Sequence, residues 1–316
     1  MFAEDLSFKP PGSLETAVLF LVFNRPDVTS RVFEVITRVR PPRLYVAADG
    51  PRANRSDDVG KCNEVRSIVS KVDWPCEVKT LFQRENLGCK LAVSSAITWF
   101  FKQEEEGIVL EDDCLPGLSF FWFCQELLER YRNDTRIWQI CGFNPVAADN
   151  RQGEDYYFTK YGPVWGWASW RRAWSVYDEN MSCWPDVRRK ELYWDFCDSK
   201  REARWRRKLY DKVFSGEIDT WDYQWGFYKF INSGLCISPT RNLITNIGFD
   251  EDATHAKKGV FYRSVECPWP LRHPKYMMRS LEKERQYFER FALPASWLSR
   301  FRVLLNYAQR HAVLHK

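Results

Sequence analysis

The stretch Gly107-Ile108-Val109-Leu110-Glu111-Asp112-Asp113-Cys114 decides the fold, because an apolar run ends there abruptly in three consecutive carboxylates. Such a run is typical of a buried strand that delivers acid to a cleft. Three adjacent carboxylates repel one another unless a cation neutralises them, and hard oxygen ligands of this kind suit Mg²⁺ or Mn²⁺ carrying substrate phosphates. The first hypothesis is therefore a metal and diphosphate site. The alternative is an acidic loop that is merely solvated.

The composition is that of a globular protein with small or anionic partners. Of the 316 residues, 45% are hydrophobic and 28% are charged, and the net charge is +5. This mild positive charge suits anionic small molecules or a membrane surface, and no RNP-like, zinc-finger or helix-turn-helix signature is present, so we expect no nucleic-acid partner. Residues 1–16 carry charges and two prolines before any apolar run, and no apolar segment reaches the roughly 20 residues that span a bilayer. We therefore expect a cytoplasmic protein with neither signal peptide nor anchor.

The first third of the chain alternates strand-like and helix-like patterns. Continuous apolar runs predict strands covered on both faces, and apolar stripes at helical spacing predict helices between them. The order β-α-β-α-β-α-β predicts an α/β fold with a doubly wound sheet, in which ligands bind at the carboxyl ends of the strands. The strands are predicted at 17–23, 44–48, 77–82 and around Ile108, and the helices at 27–40, 59–72 and 89–101.

Polar residues follow each of these predicted strands. Any one of them could be a turn residue, a helix cap or a surface charge. Five independent turns would not be expected to place acid, amide and base on one edge by chance, so we interpret the set as a binding edge. No Gly-x-Gly-x-x-Gly follows the first strand and no Gly-Lys-Ser/Thr loop exists, which argues against dinucleotide and P-loop sites. The residues on this edge are Asn24, Arg25, Asp49, Arg52, Asn86, Gly88, Lys90 and Asp113.

Four of these segments together resemble the nucleotide-sugar half of a GT-A fold glycosyltransferase. They are Leu19 to Pro26, Ala48 to Arg52, Asn86-Leu87-Gly88 and Leu110-Glu111-Asp112-Asp113. The acidic triplet resembles the metal motif of the N-acetylglucosaminyltransferase of complex N-glycan branching, and the chain is also similar to bacterial hemolysin-like proteins of the GT-A type. The resemblance covers about residues 17–256.

This resemblance implies a GT-A fold, that is, an α/β fold with a Rossmann-like mixed sheet flanked by helices and a C-terminal helical extension. We expect a donor-binding half at 1–115, an acceptor-binding and catalytic half of the same domain at 116–260, and a basic, helical extension at 261–316.

The resemblance also implies site residues. Asp113 is expected to bind Mn²⁺ or Mg²⁺, Asn24 and Asp49 to contact the base or ribose, and Arg25 and Lys90 to lie near the nucleotide. The expected donor-binding residues are Phe23, Asn24, Arg25, Asp49, Asn86, Lys90, Glu111, Asp112, Trp165, Gly166 and Trp167.

The middle of the chain is rich in tryptophan, which has 15 copies in all. Aromatic rings stack on the C–H faces of sugars, so a tryptophan-lined acceptor cleft is one interpretation, and core packing is the other. Trp165 and Trp167 are the exceptions to core packing that we predict, because a proline and glycines indicate a loop. Trp165-Gly166-Trp167 resembles the segment that closes over the donor in the same family. The charged segment Arg188 to Lys212 predicts a solvated helical face without assigned function.

Asp222 is the predicted catalytic base. Helical apolar spacing runs from it to about Asn232, which places it at a helix N-terminus, where it could instead be only a cap. In an inverting transfer the acceptor hydroxyl attacks the anomeric carbon opposite the departing diphosphate, and a carboxylate must take the proton. A Trp-Asp pair that opens a helix also resembles the place where this family keeps its base.

Two features near the C-terminus are left open. His255 is one of only four histidines, and its imidazole could join the metal shell, donate to a diphosphate or lie on a surface loop. From Trp297 an apolar stripe accompanied by basic residues could lie on an anionic membrane surface. Packing on its own domain or on a partner subunit in a homo-oligomer is the alternative.

The sequence therefore predicts a metal-dependent, inverting glycosyltransferase that uses a UDP-sugar and acts on a glycan, lipid-linked or protein acceptor in surface glycan or glycoconjugate biosynthesis. It would work in the cytoplasm or peripherally on the inner face of the membrane. One alternative is a nucleotidyltransferase acting on sugar phosphates, which should carry a glycine- and lysine-rich loop after the first strand. Another is a non-catalytic carbohydrate-binding protein on the same fold.

Overall fold

The computed structural model describes residues 8–146, 153–248 and 262–292, which build a mixed α/β structure on an eight-stranded sheet. The predicted fold class, a Rossmann-like mixed sheet flanked by helices, is confirmed. The strands in these ranges are β1 Val18–Val22, β2 Arg43–Ala48, β3 Glu77–Phe82, β4 Glu106–Glu111, β5 Cys114–Pro116, β6 Ile137–Cys141, β7 Tyr156–Thr159, β8 Trp167–Trp170, β9 Leu235–Pro239 and β10 Ile244–Asn246.

Helices cover the sheet and connect most of its strands. Within the described residues, no helix is both long enough and apolar enough to cross a membrane. The α-helices are α1 Pro26–Val39, α2 Asp58–Val69, α3 Gly88–Gln103, α4 Ser119–Arg130, α5 Arg171–Trp174, α6 Trp184–Arg189, α7 Lys200–Phe214, α8 Asp222–Ile231 and α9 Leu281–Tyr287, which a π-helical turn continues over Phe288–Ala292.

The first four strands form the parallel part of the sheet, in the order β3-β2-β1-β4. Strand β1 lies between β2 and β4, and Val18 is in register with Leu44 on one side and Ile108 on the other. All five residues of β1 are buried, as a strand with neighbours on both sides and helices on both faces must be. Because these strands are parallel, their carboxyl ends meet at one edge, which confirms the alternation predicted from the apolar runs.

The remaining strands extend the sheet in mixed directions, in the order β8-β6-β9-β7. Strand β8 runs antiparallel to both β4 and β6, and β6 is parallel to β9. The second half of the chain is thus hydrogen-bonded to the first through β4, the strand that ends in the carboxylates. A separate ribbon pairs β5 with β10 in antiparallel fashion, with Asn246 opposite Cys114.

Most charged residues of the segment Arg188 to Lys212 are exposed, as the predicted solvated face requires, but helix α7 also carries two buried charges, Glu202 and Arg206. Glu202 is 2% exposed, and its Oε1 accepts hydrogen bonds of 2.8 Å from both Tyr161 Oη and Arg206 Nε. Lys160 Nζ donates to the other carboxylate oxygen at 3.2 Å. Buried charges are tolerated when they are paired, and here the pairing joins α7 to the chain just after β7.

The described part of the C-terminal extension packs on the domain. Glu266 caps α4: its two carboxylate oxygens accept from the Leu118 and Ser119 N–H groups at 2.9 and 2.7 Å. The helical part begins at Leu281. The stripe predicted from Trp297 lies outside the described residues.

Candidate functional site

The polar residues predicted at the strand ends meet at the carboxyl edge of the parallel strands. Arg25 follows β1, and the carboxylates Asp112 and Asp113 follow β4, the neighbouring strand. The Arg25 carbonyl accepts the Thr29 N–H at 3.0 Å and the Thr29 hydroxyl at 2.7 Å, which fixes Arg25 at the start of α1. Its guanidinium is thereby held over the acidic end of β4.

Arg25 pairs with two of the three carboxylates. Its Nε lies 3.3 Å from Asp112 Oδ2, its Nη2 donates to Asp112 Oδ1, and its Nη1 lies 3.0 Å from Asp113 Oδ2. Burial lowers the pKa of Arg25, but the two carboxylates outweigh that effect and leave its pKa raised. The guanidinium is therefore a permanent cation here.

The acids of the cluster repel one another despite Arg25. Burial raises the pKa of Glu111 well above its usual range, and Asp113, Asp112 and Asp222 raise it further. Burial also raises the pKa of Asp112 to about 6, although Arg25 acts in the opposite direction. The predicted base Asp222 is thus close enough to the acidic triplet to act on Glu111 electrostatically. A further cation would favour the ionised forms of these acids.

Asp222 is the first residue of α8, directly after the N-cap residue Trp221. It accepts a hydrogen bond from the Thr220 hydroxyl. The preceding residue, Trp221, is buried, and its carbonyl accepts from Tyr177 Oη at 3.2 Å. Asp222 thus follows a buried, hydrogen-bonded residue, and its role as a base stays a prediction.

Asp49 and Asn86 come together as a pair. Asn86 Nδ2 donates to Asp49 Oδ2 at 2.7 Å, and the N–H groups of Gly50 and Leu87 donate to Asp49 Oδ1 at 2.8 and 2.9 Å. Both oxygens of Asp49 are thus engaged in joining the end of β2 to the loop before α3. Burial raises the pKa of this carboxyl.

Asn24 belongs to a second network, centred on a residue that the sequence did not indicate. Asn24 Nδ2 donates to Asp58 Oδ1 at 2.8 Å, and Arg52 Nε and Nη2 donate to the Asp58 oxygens at 2.7 and 3.0 Å. The Arg52 guanidinium also lies over the Phe23 ring, 5.4 Å from its centroid. Asp58 is fully buried. In the sequence it is only one of two acids at a helix start, so only tertiary contacts could identify it.

The β5–β10 ribbon brings a third part of the chain onto the carboxylates. The Ile247 N–H donates to the Asp113 carbonyl at 2.8 Å. At Gly248 a Cβ would lie 2.2 Å from Asp113 Oδ2 and 2.7 Å from Arg25 Nη1, so only glycine allows the backbone to approach this closely. His255 follows in sequence and lies outside the described residues, which leaves its predicted role a prediction.

Trp167 is not on a loop, and that prediction is wrong. It is the first residue of β8 and is 0% exposed, stacked on Trp221 with ring centroids 5.8 Å apart. Gly166 has a φ of 60°, which turns the chain into β8. Trp165 is half-buried and packs on Phe143 at 4.4 Å. The glycine indicated a turn, but the apolar ring that follows it belongs to the core beneath Asp222.

The acids at this edge suit a divalent cation in chemistry and charge. Asp113 and Glu111 carry hard carboxylate oxygens of the kind that Mg²⁺ and Mn²⁺ prefer, and Arg25 pairs with both Asp112 and Asp113. Within residues 8–146, 153–248 and 262–292, no three His, Cys, Asp or Glu side chains are arranged to hold a metal ion between them. Lys90 lies half-buried in the first turn of α3.

Comparison with known proteins gives distant structural neighbours. No protein-family model and no curated protein sequence matches this chain. A mannosyltransferase from Pyrobaculum calidifontis in complex with GDP-Man and Mn²⁺ is similar over 53% of this chain and 49% of its own, at 10% identity and a TM-score of 0.33. Mouse xyloside xylosyltransferase 1 is similar over 69% of this chain and 81% of its own, at 13% identity and a TM-score of 0.33. Apo UDP-glucose pyrophosphorylase is similar over 51% of this chain and 79% of its own, at 10% identity and a TM-score of 0.32. Every TM-score is below 0.5, and the function proposed below therefore depends on the residues of the site.

Proposed function

We propose that this chain is a glycosyltransferase that moves a sugar from a nucleotide-diphosphate donor, for which we expect UDP, to an acceptor hydroxyl with inversion at the anomeric carbon. The observation that carries the proposal is that Asp222 lies near enough to the acidic end of β4 to affect Glu111 electrostatically. These acids come from distant parts of the chain, and Asp222 contributes to the raised pKa of Glu111. In an inverting transfer, a cation must stabilise the leaving diphosphate on one side of the sugar, and a base must take the proton of the attacking hydroxyl on the other side.

The chemistry of the proposed transfer divides between the two groups of acids. Asp222 takes the proton of the acceptor hydroxyl as the new C–O bond forms at the anomeric carbon and the bond to the diphosphate oxygen breaks. The Thr220 hydrogen bond and the buried Trp221 help to position Asp222. Stabilisation of the charge that grows on the leaving group is expected to be the largest catalytic contribution.

Asp113 would hold Mn²⁺ or Mg²⁺ together with the donor diphosphate, and His255 is the further ligand that we propose. A divalent ion supplies positive charge that stabilises the departing diphosphate. Lys90 and Arg25 would contribute positive charge near the nucleotide, and Asn24, Phe23, Asp49 and Asn86 would shape the base and ribose pocket, directly or through the two networks described above.

The chain connecting β1 to α1 argues against the nucleotidyltransferase alternative. Strand β1 ends at Val22 and α1 begins at Pro26, so only Phe23, Asn24 and Arg25 lie between them. This connection has no glycine and no lysine, and it is too short for a loop that wraps a triphosphate.

A panel of nucleotide sugars tests the proposal. The purified protein is mixed with Mn²⁺ and each donor, and thermal stabilisation and slow donor hydrolysis are measured. We expect one donor or one nucleotide class to stabilise the protein and to be hydrolysed. Stabilisation by none of them, with or without metal, would contradict the proposal, and release of pyrophosphate from a nucleoside triphosphate and a sugar phosphate would favour the nucleotidyltransferase.

A further inference from the structure

Arg25 presents three guanidinium nitrogens to two adjacent carboxylates. Nε and Nη2 both face Asp112, and Nη1 lies 3.0 Å from Asp113 Oδ2. A planar guanidinium can bridge two acids in this way, whereas the point charge of a lysine cannot. The arrangement gives Asp112 two hydrogen bonds and Asp113 one ion pair.

The pairing is part of the folded interior. The side chains of Asp112, Asp113 and Arg25 are 5%, 14% and 30% exposed. The backbone at Gly248 closes over the pair so tightly that a Cβ there would overlap both Asp113 and Arg25. Charges removed from water to this extent leave an uncompensated carboxylate behind when one partner is lost.

The Asp113 carboxylate that would hold a divalent ion is already paired with Arg25. Asp113 Oδ2 lies 3.0 Å from Arg25 Nη1, and the other oxygen, Oδ1, lies 3.4 Å from Cys114 Sγ. An ion that arrives alone therefore competes with Arg25 for this carboxylate. An ion arriving with a diphosphate brings additional ligands and anionic charge to which the freed guanidinium nitrogen can turn.

We propose that Arg25 is a built-in counter-cation that holds Asp112 and Asp113 while no divalent ion is bound, and that yields Asp113 alone when a metal–diphosphate unit binds. The proposal rests on the proposed metal site at Asp113. Metal and nucleotide then bind together, because competition with Arg25 for Asp113 lowers the affinity of the free ion. Asp112 is a positioning residue that keeps Arg25 in place throughout.

The test compares Arg25→Gln with Arg52→Gln. Arg52 is a matched control because it also pairs with a buried carboxylate at the same edge, that of Asp58. Binding of Mn²⁺ without nucleotide is measured from the electron paramagnetic resonance signal of the free ion, and thermal unfolding is recorded in EDTA and in Mn²⁺. For wild type we expect weak Mn²⁺ binding and the same melting temperature in EDTA and in Mn²⁺. We expect Arg25→Gln to bind Mn²⁺ more tightly, by about tenfold or more, which corresponds to about 1.4 kcal/mol. It should also melt early in EDTA and recover in Mn²⁺.

Arg52→Gln should melt early in both conditions, with Mn²⁺ affinity unchanged from wild type. The proposal is overturned if Arg25→Gln responds to Mn²⁺ no more than wild type or Arg52→Gln does, or if wild type binds Mn²⁺ tightly without nucleotide. Arg25→Lys keeps the charge but cannot span both acids. Should Arg25→Gln fail to fold, Arg25→Lys takes its place. A higher Mn²⁺ affinity of Arg25→Lys than of wild type supports the proposal, and an unchanged affinity overturns it. These measurements involve no sugar transfer. They can therefore overturn the role of Arg25 while the donor panel supports the proposed function, and the donor panel can contradict the proposed function while these measurements support the role of Arg25.

Discussion

Asn86 donates a 2.7 Å hydrogen bond from its side-chain amide to Oδ2 of Asp49, which joins the loop before α3 to the end of β2. Because Asp49 also accepts from Gly50 and Leu87, Asp49→Ala would leave several donors unsatisfied. We expect the free energy of unfolding to fall by about 1–3 kcal/mol, and Asp49→Asn to lose less. Urea denaturation measures both. Full stability of Asp49→Ala combined with loss of nucleotide binding would instead mean that Asp49 meets the ligand directly.

The Asp58 network predicts a dependence of stability on pH. Hydrogen bonds from Arg52, above all, and from Asn24 hold the pKa of Asp58 below its usual value. A carboxyl whose pKa is lowered by folding stabilises the protein above its unfolded pKa, near 4, and loses that contribution as the pH falls towards the folded pKa. Asp58→Asn should therefore cost about 1–3 kcal/mol at pH 7 and should weaken the fall of stability between pH 5 and pH 3. If the unfolding free energies of wild type and variant fall equally between pH 5 and pH 3, the prediction is contradicted.

Asp222→Asn tests the base. We expect kcat for sugar transfer to fall by about 10²–10⁴-fold, because the amide cannot take the proton, with donor binding retained. Steady-state rates and donor titration by calorimetry separate the two effects. Asp186→Asn is the control, since Asp186 forms exposed ion pairs with Arg189 and Lys190 at the end of α6, and we expect it to leave both quantities unchanged. Normal turnover by Asp222→Asn would favour a carbohydrate-binding protein or a different base.

Trp167→Ala tests the corrected placement of this ring. The side chain is fully buried among Trp221, Trp225 and Trp174, so we expect a loss of about 3–5 kcal/mol in unfolding free energy. Trp165→Ala, at a half-buried position, should cost less. Guanidinium denaturation of the two variants decides the matter. Unaltered stability of Trp167→Ala with a selective loss of donor affinity would restore the original prediction.

The central parallel strands could be predicted because they are buried on both faces and therefore appear as uninterrupted apolar runs. β1 illustrates this, since all five of its residues are buried and its predicted and observed bounds agree within a residue. β3 was also predicted at its observed bounds, although this edge strand has no buried residue. The three-residue strands β5 and β10 could not be predicted, because their pairing depends on contacts between distant segments and not on local pattern.

The same distinction applies to the site. Asp112, Asp113 and Asp222 were indicated by their positions after a strand and at the start of a helix, which are local features. The partnership of Arg25 with Asp112, the burial of Asp58 and the approach of Gly248 to Asp113 arise only when three parts of the chain pack together. Sequence reasoning therefore found the acids but not the arginine and glycine contacts that organise them.

The most direct test of the proposed donor site is anomalous diffraction at the manganese edge from crystals grown with Mn²⁺ and UDP. We predict a manganese peak about 2–2.5 Å from an Asp113 carboxylate oxygen, bridged to the diphosphate, with Arg25 still bound to Asp112. A nucleotide bound elsewhere, or Asp113 still paired with Arg25 and no manganese within coordination distance, would contradict the account.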